Sequence, residues 1–162
     1  KFADVAFEQL KRPDLTSAED YATGVRPFMS ARGLNEVPEP TLTAAIPTIR
    51  ERARTLVEAA AALDYYFRDP AKLLVPAAVP HLSALAEICR SAPVFTAEAL
   101  DEAVRIWTER DQVKMKDVAQ PARVALTGRS ASPGLFEVMS VLGRERSVAR
   151  LEAAAEIARD NA

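Results

Sequence analysis

Apolar residues in this chain recur at the three- and four-residue spacing of a helix face, not at the alternation of a half-buried strand. Across residues 42–67, Ile46, Ile49, Ala53, Leu56, Val57, Ala60 and Leu63 fall on one helical face. Alanine is abundant, glycine numbers only 5, and Val and Ile rarely alternate with polar residues, so helix is favoured over sheet throughout. The expected class is all-α. No apolar run approaches the ~20 residues that span a bilayer, and no charged-then-apolar leader precedes a cleavage site, so a cytoplasmic location is the expectation.

Capping residues and prolines divide this pattern into helices. One is expected over 3–11, ahead of Pro13, and a second from a Thr16 or Ser17 cap through Arg32, with Glu19 and Asp20 in its first turn and Gly33 past its end. Residues 35–40 read as a loop, and 42–67 as one long stretch in which Pro47 must sit in a first turn or a kink. Asp69–Pro70 is the best internal boundary, because a residue before proline is pushed out of helical geometry. Two helical subdomains, 1–69 and 70–162, follow. In the second, helices are expected over 77–90, from a Thr96 cap past Trp107, and over 118–127, 132–142 and 144–158, with Gly128 and Gly143 between the last three.

Charge and cysteine usage exclude several functions. A net charge of −2 argues against a protein that coats nucleic acid without specificity, which needs broad phosphate neutralisation. Yet residues 112–150 hold seven Lys or Arg against three acids, a surplus of four on an otherwise acidic chain, the pattern of a localised RNA contact surface and equally of a solvated helical surface with uneven charge. Cys89 and His81 are each the single residue of their type, too few for a disulfide framework or a zinc site. His81 has no neighbouring nucleophile to serve. Lys114-Met115-Lys116 resembles a KMSKS loop only superficially, and no HIGH-type segment or Gly-rich phosphate loop occurs, so no catalytic residues are assigned.

The most specific text lies between Lys114 and Gly143: a basic–hydrophobic–basic step, then Val118-Ala119-Gln120-Pro121, Arg123, Leu126-Thr127-Gly128 and Ser132-Pro133-Gly134-Leu135-Phe136-Glu137. This order closely resembles the C-terminal anticodon-binding region of bacterial glutamyl-tRNA synthetases. The segments VRPFMSARGL (25–34), RERARTLVEAA (50–60) and LDYYF (63–67) are also similar to that family, so the resemblance covers essentially the whole chain. It implies an all-helical bundle or cage of two small anticodon-binding subdomains, with glutamate tRNA as partner and glutamine tRNA left open. The chemistry it implies, ATP- and magnesium-dependent formation of glutamyl-tRNA through an adenylate, belongs to an N-terminal catalytic domain absent here. A start at Lys1 rather than Met fits a piece of something longer. The competing reading is a free-standing helical tRNA- or protein-interaction module derived from such a domain.

Carried over residue by residue, the resemblance puts Ser132, Pro133 and Leu135 against anticodon bases and Arg123 near the anticodon backbone or bases. The loop chemistry agrees: Gly128 stops one helix, Ser132-Pro133 is expected to start another as N-cap and N1, and the free amides and rigid apolar surface beyond could meet a phosphate and an unstacked base. Aligning on Thr55-Leu56 makes Arg52 the arginine that, in some family members, helps accept the third anticodon base of glutamate tRNA, a cytosine, over the guanine of glutamine tRNA. A planar guanidinium fork suits the acceptor edge of cytosine. Arg50 and Arg54, its neighbours, are expected on other sides of the same helix.

Overall fold

The computed structural model describes residues 8–69 and 76–161, and every regular element among them is helical. The chain is therefore all-α. It divides into two compact units, Lys1–Arg68 and Asp69–Ala162.

In the first unit, a helical stretch over 8–11 precedes α1 (Ala18–Ser30), α2 (Glu39–Ile49), α3 (Leu56–Leu63) and a single 3-10 turn, Asp64–Tyr66. Most of the helix expected over 3–11 lies outside the described residues. Ser17 caps α1, its Oγ accepting from the Asp20 amide at 3.1 Å. Tyr21, Val25 and Met29, four residues apart, form the fully buried stripe of α1, which packs on both α2 and α3. Leu42, Ile46, Ile49, Leu63 and Tyr66 complete this core. Tyr66 also uses its hydroxyl, 2.9 Å from Thr48 Oγ1.

The single helix expected over 42–67 is not formed. Helix α2 starts earlier, with Pro40 in its first turn, and ends at Ile49; a turn follows, and Thr55 takes extended backbone angles (φ −145°, ψ 161°) to cap α3. Its Oγ1 accepts from the Glu58 amide at 3.1 Å, and Glu58 Oε2 accepts from the Arg54 amide at 2.8 Å. This is a Thr-x-x-Glu capping arrangement, and it starts a second helix in mid-pattern. Val57, expected on the apolar face, is 58% exposed because the break changes the phase of the face. Pro47 sits inside α2 rather than in its first turn.

The second unit holds a 3-10 turn, Pro76–Ala78, then α4 (Val79–Ser91), α5 (Ala97–Arg110), α6 (Met115–Thr127), α7 (Leu135–Leu142) and α8 (Arg144–Asp160). Leu82, Leu85, Ala86 and Cys89 face inward from α4 as their spacing requires. Helix α8 is the principal partner of α4 and also contacts α6, α7 and the Pro76–Ala78 turn. It runs antiparallel to α4: Arg144, its first residue, donates from Nη1 to the carbonyls of Cys89 (2.8 Å) and Arg90 (3.0 Å) at the far end of α4. Thr96 caps α5 by accepting from the Ala99 amide at 3.3 Å. Gly128 ends α6 in the left-handed region (φ 71°), and Gly143 (φ 84°) joins α7 directly to α8. Both angles favour glycine because a Cβ would clash with the following carbonyl.

Thr55→Ala should cost about 1 kcal/mol of stability in urea unfolding, the usual worth of an N-cap, whereas Val57→Ala should stay within about 0.5 kcal/mol as an exposed substitution. A larger loss for Val57→Ala would mean that 42–67 is one continuous packed helix.

Candidate nucleic-acid interface

Arg52 sits in the turn between α2 and α3, not on a helix. Its amide and that of Ala53 both donate to the Ile49 carbonyl, each at 3.0 Å. Ala53 is 5% exposed, whereas the Arg52 side chain is at the surface. The three arginines of this segment therefore differ in kind. Arg54 points to solvent, with Glu58 at 3.8 Å. Arg50, expected to be one more helical surface residue, is buried: its Nη2 donates to the Ser17 carbonyl at 2.9 Å and its guanidinium lies 5.2 Å from the Tyr21 ring centre. It was missed because a basic residue two positions from a surface arginine gives no sign of burial.

The other four expected contacts belong to the second unit. Arg123, on the last turns of α6, donates from Nε to Ser132 Oγ at 3.0 Å and from Nη1 to Gln120 Oε1 at 3.2 Å. The Ser132 hydroxyl in turn donates to the Pro133 carbonyl at 2.9 Å. Of the five N–H donors on the guanidinium, these two bonds leave the Nη2 end of the fork without a protein partner among the described residues. Thr127 links helix to loop, its Oγ1 donating to the Arg123 carbonyl (2.8 Å) and accepting from the Arg129 amide (3.1 Å). The structure thus brings Arg123 and Ser132 together and adds Gln120, for which the i,i+3 spacing to Arg123 was the available signal.

The loop beyond differs from its expected form in two ways. Helix α7 begins at Leu135 with Gly134 as N-cap, so Ser132 and Pro133 are neither N-cap nor N1; the Ser132 hydroxyl is engaged by Arg123 and the Pro133 carbonyl instead. Pro133 is buried and Leu135 is 5% exposed, so neither offers an open apolar surface. The Glu137 carboxylate lies beside the start of α7, with Oε1 3.0 Å from where a Cβ on Gly134 would stand. An acid in the first turn complements the helix dipole and repels a phosphate.

The basic surplus of 112–150 is also redistributed. Arg150 is 3% exposed and donates to the Leu126 carbonyl (2.7 Å) and to Asp69 Oδ1 (3.1 Å). Arg144 is committed to the end of α4 and lies 5.2 Å from the Phe95 ring centre. Lys114 and Lys116 are exposed at the start of α6 and Arg129 just past its end, about 20 Å apart along a 13-residue helix. The surplus is therefore not one patch: two arginines hold the fold, and the exposed cations divide between the two ends of α6 and Arg146 on α8.

The remaining polar candidates are structural. Tyr65 and Tyr66 are buried with ring centres 4.5 Å apart. Burial pushes the Cys89 thiol up to about 12, which leaves it unreactive. Among the described residues no group of three or more His, Cys, Asp or Glu could hold a metal, and no helix is long and apolar enough to cross a membrane.

A family model described as an anticodon binding domain matches residues 20–155. The chain is 38% identical over 156 residues to glutamate–tRNA ligase 1 of Beijerinckia indica, covering 88% of this chain and 33% of that protein. It is 39% identical over 137 residues to the glutamate–tRNA ligase of Myxococcus xanthus, covering 79% and 29%. The chain thus spans about a third of the length of the curated relatives it matches. Two crystal structures share its fold: a glutamate tRNA ligase from Elizabethkingia meningosepticum in complex with its amino acid (TM-score 0.74, 20% identity, 96% of this chain and 31% of that one) and a glutamate-tRNA synthetase from Elizabethkingia anophelis (0.76, 23%, 93% and 30%).

The sorting of basic residues is measurable. Arg150→Ala leaves the Leu126 carbonyl unpaired and should cost about 2 kcal/mol of stability. Lys116→Ala should stay within about 0.5 kcal/mol in the same urea titration. Equal, small losses would place Arg150 on the surface.

Proposed function

The chain belongs to the anticodon binding domain family, and on that premise we propose that it is the tRNA-reading part of a glutamate–tRNA ligase, each of its two units being an anticodon-binding subdomain. What carries the proposal is the extent of the family match. Residues 20–155 run through both units and include all five residues singled out above as tRNA contacts.

In this reading the second unit supplies Arg123 as a prepared donor. Its Nε and Nη1 are already spent on Ser132 and Gln120, so the plane of the guanidinium is set before RNA arrives and the Nη2 end is left for a phosphate or a base carbonyl. Ser132 acts as a contact and as the residue that orients Arg123. Burial gives Pro133 and Leu135 a different part from the one their apolar character suggested: they fix the loop from below, and a base reaches them only at its edge. The first unit supplies Arg52, an exposed fork on a restrained turn, to accept the cytosine of the glutamate anticodon.

The ligase reaction is assigned to the parent. ATP and magnesium have no fitting residues here: the sequence carries neither half of a class I active site, and among the described residues no carboxylate, histidine or cysteine cluster could hold the metal. No chemical step is derived for this chain. Its part is to bind and position glutamate tRNA so that a catalytic domain can act on the other end.

Pure chain should therefore give no glutamate-dependent ATP–pyrophosphate exchange, and should bind glutamate tRNA weakly, with an affinity that falls as salt rises because few phosphates are neutralised. Exchange activity, or binding indifferent to salt, would contradict the proposal.

Arg52→Gln should reduce the preference for a glutamate tRNA transcript over the same transcript with guanine as third anticodon base by about 1–3 kcal/mol, the usual worth of one base contact. Arg54→Gln, a change at an exposed side chain, should leave that preference near the parental value. If both variants keep the parental ratio of dissociation constants, Arg52 does not read the base.

A further inference from the structure

We propose that Arg50 is the positioning residue for Arg52: a buried guanidinium that ties the α2–α3 turn to the start of α1 and so holds the base-reading side chain in place. The inference rests on the reading of Arg52 given above.

Arg50 is 5% exposed, and among the described residues it has no carboxylate partner. Its Nε is buried without a hydrogen bond, as is the hydroxyl of Tyr21, whose ring it covers. A guanidinium buried in this way costs folding free energy, and an apolar side chain of similar volume would fill the same space at lower cost. Packing stability therefore does not explain the residue. Its backbone is the C-cap of α2, but its guanidinium reaches the N-terminal end of α1, where the helix dipole does not favour a cation.

What a guanidinium supplies here is geometry. The bond to the Ser17 carbonyl fixes one direction, and the Tyr21 ring, its centre 5.2 Å from the guanidinium carbon, limits movement on one side. Local restraints also act on this turn: the Ile49 carbonyl accepts from the amides of Arg52 and Ala53, and Glu58 accepts from the amide of Arg54. The Arg50–Ser17 bond instead joins residues 33 apart in sequence and anchors the turn to a different helix. Arg52 follows two residues later with its backbone held and its side chain exposed. Base reading tolerates displacements of only about 0.5 Å, whereas attraction of a phosphate backbone by a flexible cation tolerates far more. Loosening the anchor should therefore lower discrimination and leave general affinity in place.

The test is a double-variant cycle on the 162-residue chain. Binding is titrated with a glutamate tRNA transcript and with the same transcript carrying guanine as third anticodon base, and helicity is checked by circular dichroism. Arg50→Met should lower the ratio of the two dissociation constants by about fivefold, a part of one base contact, while binding of the guanine transcript stays within about twofold of the parent. Added to Arg52→Gln, Arg50→Met should change the ratio no further, because the side chain it positions is gone. Should Arg50→Met not fold, Arg50→Lys decides: a lysine ammonium has no fork that can donate to the Ser17 carbonyl and still keep its charge over the Tyr21 ring, so a folded lysine variant should also lose discrimination. A folded Arg50 variant with the parental ratio beside a reduced ratio in Arg52→Gln overturns the positioning role alone. Equal losses for both transcripts, or an Arg50 effect that persists undiminished without Arg52, make Arg50 merely structural. An unchanged ratio in Arg52→Gln removes the base-reading role itself, and this inference with it.

Discussion

Every α-helix ends with carbonyls that have no amide partner within the helix, and a bundle of short helices has many such ends to bury. In this chain arginine side chains satisfy a recurring share of them. Arg144 donates to the last carbonyls of α4, Arg150 to the Leu126 carbonyl near the end of α6, and Arg68 to the Arg32 carbonyl just beyond α1. Arg50 differs: its target, the Ser17 carbonyl at the N-terminal end of α1, already accepts from the Tyr21 amide at 3.1 Å. A guanidinium suits the task because its donors are several, planar and always charged, and the C-terminal end of a helix is the negative one. Helix α8 supplies two of these contacts, Arg144 to the end of α4 and Arg150 to the end of α6, from different sides of the helix.

That constraint also governs which cations remain for RNA. Arginines committed to carbonyls are lost to the surface, so a surplus of positive charge in the sequence overstates the surface that phosphates meet. Arg123 is intermediate: two of its donors are used within the protein, and the rest are oriented by that use. Such preorganisation favours recognition over simple attraction, since the side chain loses little freedom on binding. The apolar members of the same signature, Pro133 and Leu135, serve the loop that carries Ser132.

The two crystal structures that share the fold do so at 20% and 23% identity, which fits a scaffold specified by pattern more than by particular side chains. Small apolar residues at helical spacing, caps at Ser17, Thr55 and Thr96, and glycines at φ 71° and 84° are the parts of that pattern visible here. Each can be met by many sequences. The long VAQP…LTG…SPGLFE text cannot be explained by packing alone: Gln120 is exposed and Arg123 is half-buried beside a polar loop.

The all-helical class and most helix ends were legible in the sequence, because caps, prolines and apolar spacing act within a few residues of chain. Ser17, Thr96, Gly128 and Gly143 are of this kind. The relation to an anticodon-binding family was legible too, since it resides in residue order. The break at Thr55 was written there as Thr-x-x-Glu, but an uninterrupted apolar phase across it concealed the turn. What tertiary structure alone decided is which of several similar arginines face water. Arg50 and Arg52 are two residues apart, equally charged and alike in pattern, yet one is buried against Tyr21 and the other is at the surface. The physical reason is that burial of a guanidinium depends on a carbonyl and a ring brought from elsewhere in the chain, and local sequence carries no record of either.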